Sequence, residues 1–397
     1  MRHNRAVVAS VRETWGSEDF FHQLLRKAVA AEASDIHLKV GQPPGVRVGG
    51  DMVYFKTDRL RAGDTEAAVK LLLGPKAVRA GMLEELTEHD TSYSVNGLGR
   101  FRVNIYRQRG TFAVVMRSIP VVVPDIESLG LPDPIHNLSE RERGMVLVVG
   151  ATGNGKSTTL AAMVNHINKT RSRHIVTIED PIEFIHRDER SSVSQREVGL
   201  DTPNFAKALR AALRQDPDVI LVGEVRDLET AQIAIQASLT GHLVLTTLHT
   251  NDAPSSIIRL VDLGIEPFLL TATIEGIVAQ RLVRKLDPAT KEMYTPAEEE
   301  LYELGLRRGD VADRQFWRPG PGASGVGGGY KGRMALFEIM SMDDDLRELV
   351  MKEASTSVLR EHSRRRGMRS LRESGLLAIY EGQTSIDEVV RETLGEE

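Results

Sequence analysis

The sequence predicts an α/β protein in which a small α+β domain precedes a larger, mostly parallel sheet covered by helices on both faces. Three observations predict it. From Met145 on, apolar runs (MVLVVG, HIVTIED, DVILVGEV, LVLTTLHT) alternate with helical ones (TLAAMVNHINKT, FAKALRAALRQ, TAQIAIQASLTG), the succession that crossover helices between buried parallel strands produce. The glycine-rich GATGNGKST sits between one such strand and one such helix. Ahead of these, residues 1–120 hold short alternating runs between helical stretches.

Taken in order, FFHQLLRKAVAAEASDIHL from Phe20 has helical spacing, and GVRVGGDMVYF from Gly45 alternates as strands do. Thr65 to Leu73 reads as a second helix. TSYSVNGLGRFRVNIYRQRGTFAVVMR, from Thr91, reads as a strand pair turned at Gly97, Gly99 and Gly110. The prolines of SIPVVVPDIESLGLP stop regular structure, so the boundary is placed near Pro120 to Pro124, giving domains 1–120 and 121–397. Ile257 to Leu286 looks helical, as does the mixed-charge stretch from Leu346 to the end. RPGPGASGVGGG, from Arg318, reads as a mobile loop. No internal repeat occurs at solenoid periods.

Composition removes several classes of chemistry. The 397 residues contain no cysteine, which excludes disulfides, thiolate metal sites and a cysteine nucleophile. Lys and Arg number 51 against 56 Asp and Glu, a net charge of −5, so no broad basic footprint for nucleic acid is expected. No apolar run reaches the ~20 residues of a spanning helix, and the N-terminus lacks the apolar core of a signal peptide. A cytoplasmic location is expected.

GATGNGKST carries the strongest chemical signal. Gly150, Gly153 and Gly155 let the backbone of Gly150, Ala151, Thr152, Gly153, Asn154 and Gly155 curl so that its N–H groups face phosphate oxygens. Lys156 then offers a point charge to the β- and γ-phosphates, Ser157 can ligate Mg²⁺, and Thr158 continues the helix. The plain alternative, a glycine-rich turn, must explain both the Gly-Lys-Ser order and its placement. Glu224 ends the apolar run VILVG, where a carboxylate can face the γ-phosphate and orient water, or simply be a solvated surface residue; Asp218 lies too far back to be assigned the Mg²⁺-holding role that an Asp ending this strand has in many P-loop enzymes. Glu179 and Asp180 end another strand before Pro181, one of them near a metal-bound water or merely capping the turn. His249 ends a third strand, followed by Thr250, Asn251 and Asp252, so that three strand ends converge on the glycine-rich turn. His242 divides evenly between nucleotide sensing and packing, and His37 reads as a hydrogen-bonded structural histidine. Arg100, Arg102, Arg107, Arg109 and Arg117 crowd the small domain, either as a solvated surface or as a source of an arginine for transferred-phosphoryl charge.

Together GATGNGKSTT, TIEDPIEFIH, DPDVILVGEVRDLETAQIA and TGHLVLTTLHTNDA resemble the four signatures of the secretion-ATPase superfamily, the motors of type IV pili and type II secretion. ASDIHL and GRFRVNIYRQRG are similar to its PAS-like N-terminal domain. The resemblance implies a RecA-like P-loop NTPase core with a small N-terminal PAS-like α+β domain and C-terminal helices, using ATP and Mg²⁺. It implies Glu224 as general base, Glu179 and Asp180 around metal and attacking water, His249 at the γ-phosphate region, and Arg102 and Arg117 brought to the nucleotide. It further implies a homohexamer, peripheral at the inner membrane, whose partner is a polytopic platform protein. HLKVGQPPGVRVGGDM looks like the compact retraction motor of twitching motility, with no room expected for the long front domain of extension motors. GYKGRMALFEIM and GMRSLRESGLLAIYEGQTSIDEVV look like assembly and type II secretion motors, so these remain the alternative. The zinc element of those relatives is not expected, because the corresponding stretch from Met293 has neither cysteine nor histidine.

Overall fold

The computed structural model describes residues 14–48, 51–79, 81–119, 122–320 and 328–393. The chain divides into two compact units, one gathering residues up to Val122 and the other most of the chain from Val123. Pro120 and Val121, in the expected connector, and 321–327, in the expected mobile loop, lie outside the described residues.

The first unit contains α1 (Glu18–Ala30), β1 (Asp35–Lys39), β2 (Gly45–Val48), β3 (Asp51–Tyr54), α2 (Ala62–Arg79), α3 (Met82–Glu85), β4 (Glu88–Val95), β5 (Gly99–Gln108) and β6 (Thr111–Ile119). Its sheet runs β3-β2-β1-β6-β5-β4, antiparallel throughout. Where a strand pair was expected from Thr91 there are three strands, because the turns at Gly97 and Gly110, both at positive φ, each reverse the chain. Alternation assigns the faces: Ile36, Leu38, Val103, Ile105, Val114 and Met116 join Phe21 and Leu25 of α1 and Ala68 and Val69 of α2 in one core. Asp35, Arg102 and Arg117 belong to the opposite set of positions.

The second unit begins with α4 (Asp133–Ser139), β7 (Gly144–Val149), α5 (Lys156–Thr170), β8 (His174–Glu179), β9 (Ser192–Glu197) and α6 (Phe205–Ala212). It continues with β10 (Val219–Val222), α7 (Leu228–Leu239), β11 (Leu243–Leu248), α8 (Ala253–Asp262), α9 (Pro267–Thr273) and β12 (Ile274–Leu286). Its sheet order is β15-β12-β7-β11-β10-β8-β9, where β15 (Tyr330–Ser341) is antiparallel to β12 and the other pairings are parallel. Both faces are covered. Met145, Leu147 and Val149 pack with residues of α6, α7 and α8, while Val146 and Val148 pack with Leu160, Met163 and Ile167 of α5 and Ile135 of α4.

One expectation is corrected: Ile274–Leu286 is a thirteen-residue strand, not the end of a helical stretch. Its apolar run is flanked by β7 and β15, whose pairing satisfies its backbone on both sides and leaves no need for helical bonds. Beyond it, β13 (Lys291–Tyr294), α10 (Glu298–Glu303) and β14 (Phe316–Pro319) form a small cap. The C-terminal helices α11 (Asp344–Met351), α12 (Thr356–Arg365), α13 (Leu371–Tyr380) and α14 (Ile386–Thr393) follow. The cap is held by Leu301, Leu304, Val311 and Phe316 packed against Leu371, Ile379 and Val389 in one apolar core.

Candidate active site

The glycine-rich turn joins β7, buried at every position, to α5. Gly150, Gly153 and Gly155 have φ of 142°, 85° and 79°, values that residues with a Cβ rarely adopt. A Cβ on Gly150 would stand 2.5 Å from the main-chain oxygen of Gln280, and one on Gly155 2.9 Å from its side-chain nitrogen. Gln280 lies on β12, beside β7, and braces the turn: its Nε2 donates to Asn154 O at 2.7 Å and its Oε1 accepts from Thr159 Oγ1 at 2.7 Å. Leu282 N donates to Asn154 Oδ1 at 3.1 Å. The sequence reading missed these contacts because it placed Gln280 on a helix; the β-branched and apolar character of IEGIVAQRLV was the available signal.

The start of α5 differs from the starts of its neighbours. Asn204, Asp227 and Asp252 cap α6, α7 and α8 through their side chains, whereas Gly155 caps α5 with none. No side chain therefore caps the first-turn amides of α5, and the positive end of a helix is a place where an anion is favoured. Lys156 Nζ lies over the turn, donating to Gly150 O at 2.9 Å and Ala151 O at 3.0 Å. Ala151, Thr152 and Ser157 are exposed, Thr158 is half-buried and Asn154 is buried. This donor set, a glycine-rich turn with one lysine and the hydroxyls of Thr152, Ser157 and Thr158, suits a triphosphate with Mg²⁺, an ion that draws most of its ligands from phosphate and water. Among the described residues, neither cluster able to supply three protein ligands lies at these strand ends.

Next to β7 stand β11 and then β10, so Glu224, just past β10, is about 10 Å from the turn across two strand spacings. Its nearly buried carboxylate is paired with Arg226 and lies 3.4 Å from His249 Nε2. Thr247 Oγ1 donates to Gly223 O at 2.7 Å, locking the two strand ends together. Glu179, one strand further out, accepts from Thr177 Oγ1 at 2.6 Å and from Gln195 Nε2 at 3.2 Å. Gly223 packs closely on that strand, where a Cβ would be 3.4 Å from Glu179 Cα. Asp180 follows directly on Glu179 at this edge.

His242 and Asp218 sit at the other ends of their strands. His242 Nδ1 is 2.8 Å from Ala237 O, and Asp218 accepts from His174 N at 2.8 Å, so both serve the edge opposite the turn. His37 Nε2 is buried without a hydrogen-bond partner among the described residues, unlike the hydrogen-bonded histidine expected; burial lowers its pKa.

In the first unit, Arg102 and Arg117 face each other across β5 and β6. Like charges opposed in this way are unfavourable unless an anion meets them. Arg117 Nε bonds Asp35 Oδ1 at 2.9 Å. Burial pushes the Asp35 carboxyl up, but Ser34 and Arg117 outweigh it and its pKa lies below the ordinary value. Arg107 serves structure instead, donating to Leu86 O and Leu83 O and covering the Phe112 ring. Arg109 stands at the β5–β6 turn with φ of 49°.

Residues 94–391 match the family described as type II/IV secretion system protein. The chain is 43% identical over 270 residues to the type IV pilus retractation ATPase PilT of Pseudomonas aeruginosa, covering 66% of this chain and 78% of that protein. It is 39% identical over 381 residues to the type II secretion system protein E of Xanthomonas campestris pv. campestris, covering 93% and 66%. With the type IV pilus assembly ATPase PilB of Thermus thermophilus it shares 35% over 396 residues, 95% of this chain and 43% of that one. Among solved structures, the pilus retraction motor PilT with bound ADP has a TM-score of 0.76 at 36% identity, covering 93% and 95% of the two chains. The Legionella pneumophila ATPase DotB has a TM-score of 0.68 at 27% identity, covering 94% and 95%.

Proposed function

The chain belongs to the type II/IV secretion system protein family, and from that premise we propose that it is an ATP-driven motor of pilus retraction. In this reading the second unit is a RecA-like core, the first is PAS-like, and six copies form a ring that works against a polytopic inner-membrane platform protein. The observation that carries it is the pairing of a glycine-rich turn at Gly150–Gly155, whose following helix no side chain caps, with a nearly buried carboxylate, Glu224, two strands away.

The first-turn amides of α5 and Lys156 hold the β- and γ-phosphates of ATP. Mg²⁺, when bound, neutralises charge on those oxygens, and Ser157 is the residue that would hold it. Glu224 orients a water on the far side of the γ-phosphorus and accepts its proton as the P–O bond to the β-phosphate breaks. Arg226 and His249 fix the carboxylate's direction. Glu179, with Asp180 beside it, orders water at the metal side, and Arg102 with Arg117 meets the charge on the transferred phosphoryl group.

The test is Glu224→Gln. Phosphate release falling by about 10²–10⁴-fold with ATP binding retained supports the reading, and unchanged release overturns it. Direction of travel is decided separately. Alignment with the type II secretion protein E covers 93% of this chain, so assembly or secretion is the second reading. A deletion strain with excess pili supports retraction, and one without pili supports assembly.

A further inference from the structure

We propose that His136, Glu140 and His166 bind a Zn²⁺ ion at a site separate from the nucleotide cradle. The three residues meet where α4 and α5 pack. Glu140 closes α4 as its C-cap, its N–H bonded to His136 O, so the two side chains lie one helical turn apart; His166 comes from α5. One potential ligand atom from each lies within 4.8 Å of the other two, and all three residues are half-buried. His166 Nε2 is 2.5 Å from Glu140 Oε1, and the two imidazoles meet edge to face with centroids 4.5 Å apart.

Two imidazoles and a carboxylate form a donor set that zinc takes and that Mg²⁺ and Ca²⁺, which prefer oxygen throughout, do not. Ligand atoms around a tetrahedral zinc stand about 3.4 Å apart, given bonds of about 2.1 Å. The 2.5 Å contact therefore opens by about 0.9 Å and the other separations, none above 4.8 Å, close by about 1.4 Å at most, within the reach of side-chain rotation.

The carboxylate is also held from behind. Arg171 Nη2 donates to Glu140 Oε2 at 2.6 Å and to the Glu140 carbonyl at 2.6 Å, which leaves Oε1 facing the histidines. Such outer hydrogen bonds orient metal-ligating carboxylates. Three protein ligands leave a fourth position for water. Among the described residues the other three-ligand cluster is Asp343, Asp345 and His362, but Asp345 is exposed and Asp343 already pairs with Arg366 while capping α11.

A metal here would pin α4 to the helix that begins at the cradle. The segment before α4 is tied to the same helix, since Asn165 Nδ2 donates to Pro124 O and Asp125 Oδ1, and Lys169 pairs with Asp125 at 2.6 Å. His166 lies ten residues beyond Lys156, about 15 Å along the helix, so the ion would stabilise that seam without touching nucleotide.

The test titrates metal-stripped full-length protein with Co²⁺, without nucleotide, and follows visible absorption. The proposal expects one Co²⁺ per chain with the intense bands of a low-coordinate ion. His136→Ala and His166→Ala, each removing a direct ligand, should weaken binding by more than the roughly 10–100-fold that loss of an outer-shell partner costs, whereas His362→Ala should leave the titration unchanged. Zn²⁺ should raise the melting temperature of the wild type but not of the His136→Ala/His166→Ala double variant. Absence of the bands at saturating Co²⁺, or equal titration by wild type and double variant, overturns the proposal. So does a melting temperature that drops equally with and without Zn²⁺, which would make the cluster a hydrogen-bonded packing element.

Discussion

Gln280 and Asn154, 126 positions apart, are joined by a 2.7 Å hydrogen bond from the glutamine amide to the asparagine carbonyl. The same side chain accepts from Thr159, so one buried residue of β12 holds both the glycine-rich turn and the first turn of α5. Gln280→Ala should lower ATP affinity about tenfold and stability by about 1–3 kcal/mol, because it leaves buried polar groups unpaired. Nucleotide titration beside denaturant unfolding checks this; unchanged affinity would mean that β12 does not shape the cradle.

Two glycines of the turn should respond differently to alanine. At Gly150 the new Cβ meets the Gln280 carbonyl at 2.5 Å, and main chain must move, so nucleotide binding should be lost. At Gly153 nothing lies within 4 Å, and only the left-handed backbone opposes the change, costing about 1–2 kcal/mol. Equal losses of affinity in the two variants would show that the close approach of β12 is not decisive.

If Arg102 and Arg117 act as proposed, on charge at the transferred phosphoryl group, replacing either by Ala should reduce turnover by about 10–10³-fold while changing ATP affinity by less than about threefold. Asp35→Asn, which loosens Arg117 without removing it, should lose less than Arg117→Ala. Steady-state kinetics beside equilibrium binding separates these outcomes, and parallel loss of both quantities would indicate a phosphate clamp. The folded Asp35 pKa is depressed, so its stabilising contribution is present above the ordinary 3.8 and is lost as pH falls through the folded value.

Glu338 on β15 accepts from the Ala253 amide at the start of α8, and burial pushes its pKa up to about 7. A raised carboxyl binds more protons folded than unfolded between pH 4.5 and 7. Its contribution is therefore complete below pH 4.5 and is lost as pH rises through 7, by roughly 3 kcal/mol at most. Glu338→Gln should flatten this dependence and be more stable than wild type at pH 8.5 relative to pH 5.5. Melting curves of the two proteins that stay parallel across that range would contradict it.

The strand–turn–helix around Gly150–Thr158 was legible because every feature it needs is local: an apolar run, glycines at the bends and a lysine opening the helix. The same holds for the carboxylates and the histidine at the ends of β8, β10 and β11, which parallel strands must deliver to one edge. Ile274–Leu286 shows no period-2 alternation, since a strand buried between two others loses the polar alternation that marks its period, and only its β-branched, apolar composition distinguished it from the helices before it.

Local sequence thus determined a glycine-rich strand–turn–helix and the polar groups that parallel strands carry toward its edge of the sheet. Tertiary structure alone decided that β12 lies beside β7 and supplies Gln280, that Glu224 and His249 face each other, and that Asp35 steadies Arg117. The physical reason is that periodicity reports which face of an element is buried, whereas strand order and register, which no local spacing encodes, choose the partner each side chain meets.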